Sequence, residues 1–286
     1  MRIGKQLLHS FTGIGLMVMG VILISGLPAL FRDIGFHFTD YVESIKLVFM
    51  ALLSPQDMDY GGTGRMVFPE ILGPYRTTLS LMAVSLLGSL FISFLLTYIT
   101  LFLGRRHLSK IEWVLSLLQA LPDLFYIAFS QWMIVLIYKG TGILIMDVAS
   151  YGTWQSMMLP LVCLSLPLTL LLTRFLLQQF LVEKKKMYAE YASSKGFTEL
   201  YIFNHHILRN VLFSLINYSK TVLWFMISNL IIIEYLFSIN GIIGFIYRYL
   251  TPEFFAIGTI LLAVPVIIVY DMAQLLVPEK RRDEGV

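Results

Sequence analysis

The sequence predicts an all-α membrane protein, a bundle of six transmembrane helices. Three observations predict it. Of the 286 residues, 57% are hydrophobic and only 14% are charged, whereas soluble domains carry about 25% charged residues. Six apolar runs approach or exceed the roughly 20 residues that cross a bilayer core. Lysines and arginines gather in alternate connections between those runs, as they do when one side of a membrane holds the positive charge.

Met1 to Ser10 carries Arg2 and Lys5, and the first span follows as Phe11 to Phe31. A basic start before an apolar run also fits a secretory signal peptide. With no clean small-x-small site near Gly26 to Leu30 and with further spans behind it, the run is read as a retained first span. Arg32 to Arg76 is the longest polar region, with Asp33, Asp40, Glu43, Asp57, Asp59 and Glu70 and a turn-rich centre at Gly61, Gly62 and Gly64. Within it, Tyr41 to Leu53 is apolar but too short to span; it either lies at the membrane interface as a helix or folds back onto the bundle.

The second span is Thr77 to Leu103, closed by the basic loop of Gly104, Arg105, Arg106, His107 and Lys110. The third is Ile111 to Tyr138, interrupted at Pro122 and Asp123. A loop with Lys139, Gly140, Gly142, Asp147 and then Trp154 leads to the fourth span, Met157 to Leu181, which contains Pro160 and Pro167. The fifth is Val211 to Phe237 and the sixth Ile257 to Val277. Ser238 to Glu253 is read as a loop, and Pro278 to Val286 as a charged tail.

With both termini in the cytoplasm, the inner segments hold Arg2, Lys5, Arg105, Arg106, Lys110, Lys184, Lys185, Lys186, Lys195, Arg209, Lys280, Arg281 and Arg282. The outer segments hold Arg32, Lys46, Arg65, Arg76, Lys139 and Arg248, most of them in one long loop, which counts for less. The net charge of +3 is small, and no basic run suggests nucleic acid. The single cysteine, Cys163, lies in an apolar run and reads as a small buried residue.

Between the fourth and fifth spans stands a polar stretch, Tyr188 to Asn210, preceded by Lys184, Lys185 and Lys186. It reads as two short helices around a turn. Tyr188 to Lys195 has no Gly or Pro; Gly196 supplies the permissive backbone for a helix end; Thr198 caps the second helix, and Leu200, Phe203 and Ile207 fall on one face of it. Ala189, Ala192 and Ser193 offer a small-residue surface that another protein's backbone could approach closely.

The pattern of Glu190, Ala192 and Gly196, followed by His206-Ile207-Leu208-Arg209-Asn210, resembles the EAA loop of ABC importer membrane subunits, and its ending is similar to the oligopeptide, dipeptide and nickel permease branch. Tyr191 stands where that motif usually has alanine. Pro160 and Pro167 before Thr173-Arg174, and Glu234, Phe237 and Gly241, resemble the same branch. The resemblance runs from about Thr77 onward and does not reach Arg32 to Arg76. It implies a type I ABC importer permease architecture with a cytoplasmic coupling-helix hairpin. The chain then divides into residues 1–76 (first helix and extracellular loop), 77–277 (five-helix permease core with loop 184–210) and 278–286 (cytoplasmic tail).

What the resemblance implies for function is a permease subunit of an ATP-driven, binding-protein-dependent importer in a prokaryotic plasma membrane. Oligopeptides or dipeptides are the expected cargo, with nickel or a metal chelate as the alternative. Expected partners are a homologous second permease subunit, two ATPase subunits and an extracellular substrate-binding protein. Tyr188, Glu190, Tyr191, Ala192, Ser193, Lys195 and Gly196 would contact the ATPase. The chain has no G-x-x-x-x-G-K-[ST] loop, so no cofactor is expected on it, and ATP and Mg would be held by the ATPase subunits.

Charged groups inside spans should face protein, water or one another. Asp123 fits the lining of a polar path or a structural hydrogen bond to a neighbouring helix. Glu234 fits an outer gate or the headgroup level. Arg174, Lys220 and Asp271 are read as snorkelling or pairing with one another. Gln119, Gln131, Asn217 and Asn229 are further polar positions, read more as helix-to-helix hydrogen-bonding groups than as substrate ligands, with Gln131 and Asn229 kept as path candidates. Were the chain a lone ion-coupled transporter, Asp123 or Glu234 would carry the coupling ion. His205 and His206 are adjacent, about 100° apart on a helix, and make a poor metal pair.

Overall fold

The computed structural model describes residues 2–31, 35–55, 58, 66–103, 105–147 and 157–275, with side chains from residue 10 onward except those of 105 and 106. Asp33, Asp57, Asp59, Gly61, Gly62, Gly64, Gly104, Trp154 and the tail 278–286 lie outside them. Among the described residues the regular elements are helices. In order they are α1 (Arg2–Ser25), α2 (Leu27–Leu30), α3 (Phe38–Leu53), α4 (Val67–Glu70), α5 (Leu72–Phe102), α6 (Arg105–Gln119), α7 (Asp123–Thr141), α8 (Met158–Lys184), α9 (Met187–Ser194) and α10 (Glu199–Ile202). A π-helical turn (Phe203–Ile207) leads into α11 (Leu208–Leu236), and α12 (Ile242–Arg248) and α13 (Pro252–Leu275) complete them.

Among the described residues, six stretches are long and apolar enough to cross a membrane: Ser10–Leu30, Leu72–Phe102, Asp123–Thr141, Met158–Lys184, Glu199–Leu236 and Pro252–Leu275. The third is shorter than the sequence suggests. Pro122 adopts an extended backbone, φ −61° and ψ 146°. It has no N–H for the helical ladder and disfavours helix at the residue before it. The run therefore breaks into α6, whose first half is charged, and α7, which alone can span. Asp123 consequently sits in the first turn of α7 and not mid-span. The expected loop after the fifth span also contains a helix, α12.

The chain forms two compact units, Met1–Ser80 with Ser238–Met272, and Leu81–Phe237 with Ala273–Val286. In the first, α3 folds back: Val48 packs with Val21 and Ala256, and the Tyr41 hydroxyl donates to Leu23 O at 3.2 Å. Thr78 Oγ1 accepts the Ile242 N–H at 2.9 Å, satisfying a backbone donor at the start of α12. A Cβ on Gly258 would stand 2.6 Å from the Ile246 side chain, so a larger residue there would displace that side chain where α12 meets α13.

In the second unit α8 is the centre. Leu164, Leu168, Leu172, Leu176, Leu177 and Phe180 are fully buried, and α11 packs along them. Their four-residue steps and the adjacent pair Leu176 and Leu177 cover more than one face, as expected of a helix surrounded by others. Ser89 on α5 donates to Ser165 O on α8 at 2.9 Å, and Gln274 donates to Asn217 Oδ1 at 3.2 Å. Cys163 is buried.

Candidate functional site

The polar stretch forms a hairpin between α8 and α11. Lys186 is extended, with φ −78° and ψ 148°, so the chain leaves α8 and restarts as α9. Its carbonyl accepts the N–H of Ala189 at 2.9 Å and of Glu190 at 3.2 Å. At the other end of α9, Gly196 takes φ +83°. Its N–H bonds Ser193 O at 3.0 Å, and the Phe197 N–H reaches Ala192 O at 3.4 Å. That pair of bonds is a Schellman ending, and it asks for a left-handed residue where Gly196 stands. Thr198 then caps α10, accepting the Tyr201 N–H at 3.4 Å.

A polar clasp fixes the root of the hairpin. Glu183 is 3% exposed in the last turn of α8. Its carboxylate accepts from Lys186 Nζ at 2.6 Å, from the Tyr188 hydroxyl and from Asn210 Nδ2 at 3.3 Å. Asn210 also donates to the Tyr188 hydroxyl at 2.9 Å. A buried carboxylate is costly unless such donors surround it. Here the donors come from α9 and α11, so one anion joins α8, α9 and α11. In sequence Glu183 reads as the start of a solvated basic loop; its one signal is an acid placed directly after the apolar run and before three lysines.

An aromatic bracket lies beside the clasp. Phe203 stacks on Phe180 with ring centroids 4.3 Å apart and meets the edges of Tyr98 at 5.3 Å and Phe102 at 6.0 Å. The π-helical turn shifts the helical phase by part of a turn. Ile202, Phe203 and Ile207 therefore turn inward, while Leu200, expected on that face, is exposed.

The small residues point differently from the sequence expectation. Ala189 and Ala192, 4% and 5% exposed, pack against Leu176, Phe180, Ile202, Ile207 and Val211 of their own chain. Their size lets α9 lie close on α8 and α11, and only Ser193 of that trio is exposed. The outward face is made of larger side chains. Met187 is 86% and Tyr191 63% exposed, with Glu190, Ser194 and Lys195 beside them; Lys195 Nζ stands 4.5 Å from the Tyr191 ring centroid. Phe197, Tyr201 and His205 continue this face as a stack, with centroids 4.8 Å and 4.3 Å apart. An open cavity of about 660 Å³ lies under the hairpin between Phe102, Leu108, Phe180 and Glu190.

The hairpin thus brings Tyr188, Glu190, Tyr191, Ala192, Ser193, Lys195 and Gly196 onto one short element, but with two faces. Tyr188 and Ala192 turn toward the chain's own helices, and the rest are exposed. Of the expected path positions, Asp123 and Gln131 are half-buried on α7. Asn229 is buried on α11 and donates to Phe225 O at 3.1 Å, and Glu234, 1% exposed, lies near the end of α11. Arg174 bonds Gln119 Oε1 at 2.7 Å. Among the described residues no three His, Cys, Asp or Glu side chains are grouped to hold a metal ion.

A stretch of 109 residues is 27% identical to the dipeptide transport system permease protein DppB of Lactococcus lactis subsp. cremoris (strain MG1363), covering 38% of this chain and 36% of that relative. Residues 101–282, which include the hairpin and the helices that clasp it, match a family of membrane transport components. The chain belongs to the family described as binding-protein-dependent transport system inner membrane component.

Proposed function

We propose that this chain is a membrane-spanning permease subunit of an ATP-driven importer, and that short peptides are its cargo. One observation carries the mechanical part: the clasp on Glu183 ties α9 to both α8 and α11. A push on the outward face of α9 is then delivered to two spans together. The exposed side chains of Met187, Glu190, Tyr191 and Lys195 suit docking of a short helix into a groove of another protein.

In this reading the hairpin faces the cytoplasm, where two ATPase subunits bind ATP and Mg and close on each other. Closure moves α9, and the attached helices switch which side of the membrane is open, which is alternating access. A second permease subunit completes the path, and a binding protein outside delivers the cargo. The peptide assignment is supported by the dipeptide permease relative over its matched stretch. No observation favours nickel or a metal chelate.

The test is uptake of a labelled dipeptide by membrane vesicles with and without the ATPase subunits. Uptake should require them, and Glu190→Lys should abolish it while the protein still inserts. Uptake that persists without ATPase subunits would instead identify an ion-coupled transporter working alone.

A further inference from the structure

One charged side chain inside the spans is held in a manner that the bilayer does not explain. Arg174 lies ten residues before Lys184, the end of α8. At 1.5 Å per residue that is about 15 Å of helix, roughly half the thickness of a hydrocarbon core. A long cation near a helix end reaches back to the nearer headgroups. Arg174 is held the other way. Its guanidinium donates to Gln119 Oε1 at 2.7 Å. Gln119 Nε2 is in turn tied at 2.8 Å to Leu170 O, one turn on the far side of Arg174 from Lys184.

Among the described residues the guanidinium has no carboxylate partner; the ion pairs there are Lys184–Glu199 and Lys186–Glu183. It is exposed, on a stripe of α8 formed by Val162, Leu166, Arg174, Gln178 and Val182. The exposed middle turns of α5 and α7 are apolar by contrast, with Leu87, Phe91, Phe129 and Trp132 as examples. A guanidinium and an amide one turn apart on a lipid-facing stripe would be costly, so this face of α8 meets water or protein. Lys220, a second exposed cation, sits two residues from Tyr218, whose ring stacks on Phe175. At 100° per residue it lies on the opposite side of α11 from that ring and takes no part.

We propose that Arg174, braced by Gln119 and followed by Gln178, lines the translocation path and receives the carboxylate of the solute in transit. Only one guanidinium donor is committed to Gln119, and the others are free to fork onto a carboxylate, the group whose geometry they match. The assignment rests on the peptide reading above, in which every cargo molecule ends in a carboxylate. It adds a path position on α8 to those expected from the sequence.

Uptake of labelled dialanine and of its C-terminal amide is compared in cells carrying the whole transport system, with the wild-type chain, Arg174→Gln and Arg174→Lys. The binding protein is the same throughout, so its own selectivity cancels between variants. Arg174→Gln should lower the preference for acid over amide about ten-fold, the size of one charge-assisted hydrogen bond, with Arg174→Lys between. An unchanged preference overturns the proposal, and so does an equal loss of both uptakes, which a structural ion pair with another subunit would produce. In a second arm Arg174→Cys is treated with an anionic, membrane-impermeant methanethiosulfonate, the wild-type chain with its buried Cys163 serving as control. Modification slowed by dialanine supports the proposal; no modification, the outcome for a lipid-facing or sealed side chain, overturns it. Wild-type cells that take up neither compound would refute the peptide reading by itself. The thiol arm would still decide the path position, modification supporting it and its absence overturning it.

Discussion

Asn210 reaches back across the hairpin to Tyr188, its Nδ2 donating to the hydroxyl at 2.9 Å while the same nitrogen bonds the Glu183 carboxylate at 3.3 Å. The two residues are 22 positions apart, and between them run the rest of α9 and the whole of α10. A single amide thus closes the hairpin at its root, and the anion it closes on belongs to α8.

Asn210→Ala should loosen that root. It leaves a buried carboxylate one donor short, at a cost of about 1–3 kcal/mol. Hydrogen exchange of the α9 amides should quicken by about ten-fold or more, while the middle turns of α8 stay protected. Unchanged exchange in α9 would show that packing of Ala189 and Ala192 holds the hairpin without the clasp.

Gly196→Ala should destabilise the hairpin by about 1–2 kcal/mol, the penalty of a Cβ in a left-handed backbone. Space is not the reason, because nothing lies within 4 Å of the added atom. Gly196→Val, branched at Cβ, should abolish ATP-driven uptake and leave membrane insertion intact. Normal uptake by both variants would sink the mechanical role given to the hairpin.

Two substitutions in and beside the hairpin should differ in magnitude. Lys184 and Glu199 pair at 3.0 Å but are half and more than half exposed, so Lys184→Ala should change stability by less than about 1 kcal/mol. Phe203→Ala removes the stack on Phe180 and two edge contacts, and should cost up to about 3 kcal/mol. Thermal unfolding in detergent distinguishes them; equal effects would mean that the bracket is not what seats α10.

Met187 tests the orientation. Its side chain is 86% exposed, so Met187→Cys should react with a membrane-impermeant thiol reagent in inside-out vesicles and stay unreacted in right-side-out ones. The reverse pattern would place the hairpin outside, away from any ATPase.

Much of the helical scaffold was legible in the sequence because a bilayer imposes a length and an apolar composition on each span. The second, fourth and fifth runs of the sequence each overlap one long helix, and Thr198 and Gly196 punctuate the hairpin as their backbone chemistry requires. The break at Pro122 was visible as a residue but not as an ending, since a proline can kink a span or stop it, and only the charged half of α6 and the extended backbone decide which.

Facing direction belongs to the tertiary structure. The alanines of α9 read equally well as a docking surface or as packing, because a small side chain permits close approach on whichever side the neighbour lies; Leu176, Phe180 and Val211 supplied that neighbour. Glu183 and Arg174 show the same division. The sequence places Glu183 just beyond a span and Arg174 within it, but which donors close on the acid, and which way the cation leans, depend on Tyr188, Asn210 and Gln119. Those partners are between 5 and 55 residues away along the chain, and local pattern carries no record of a contact made at that range.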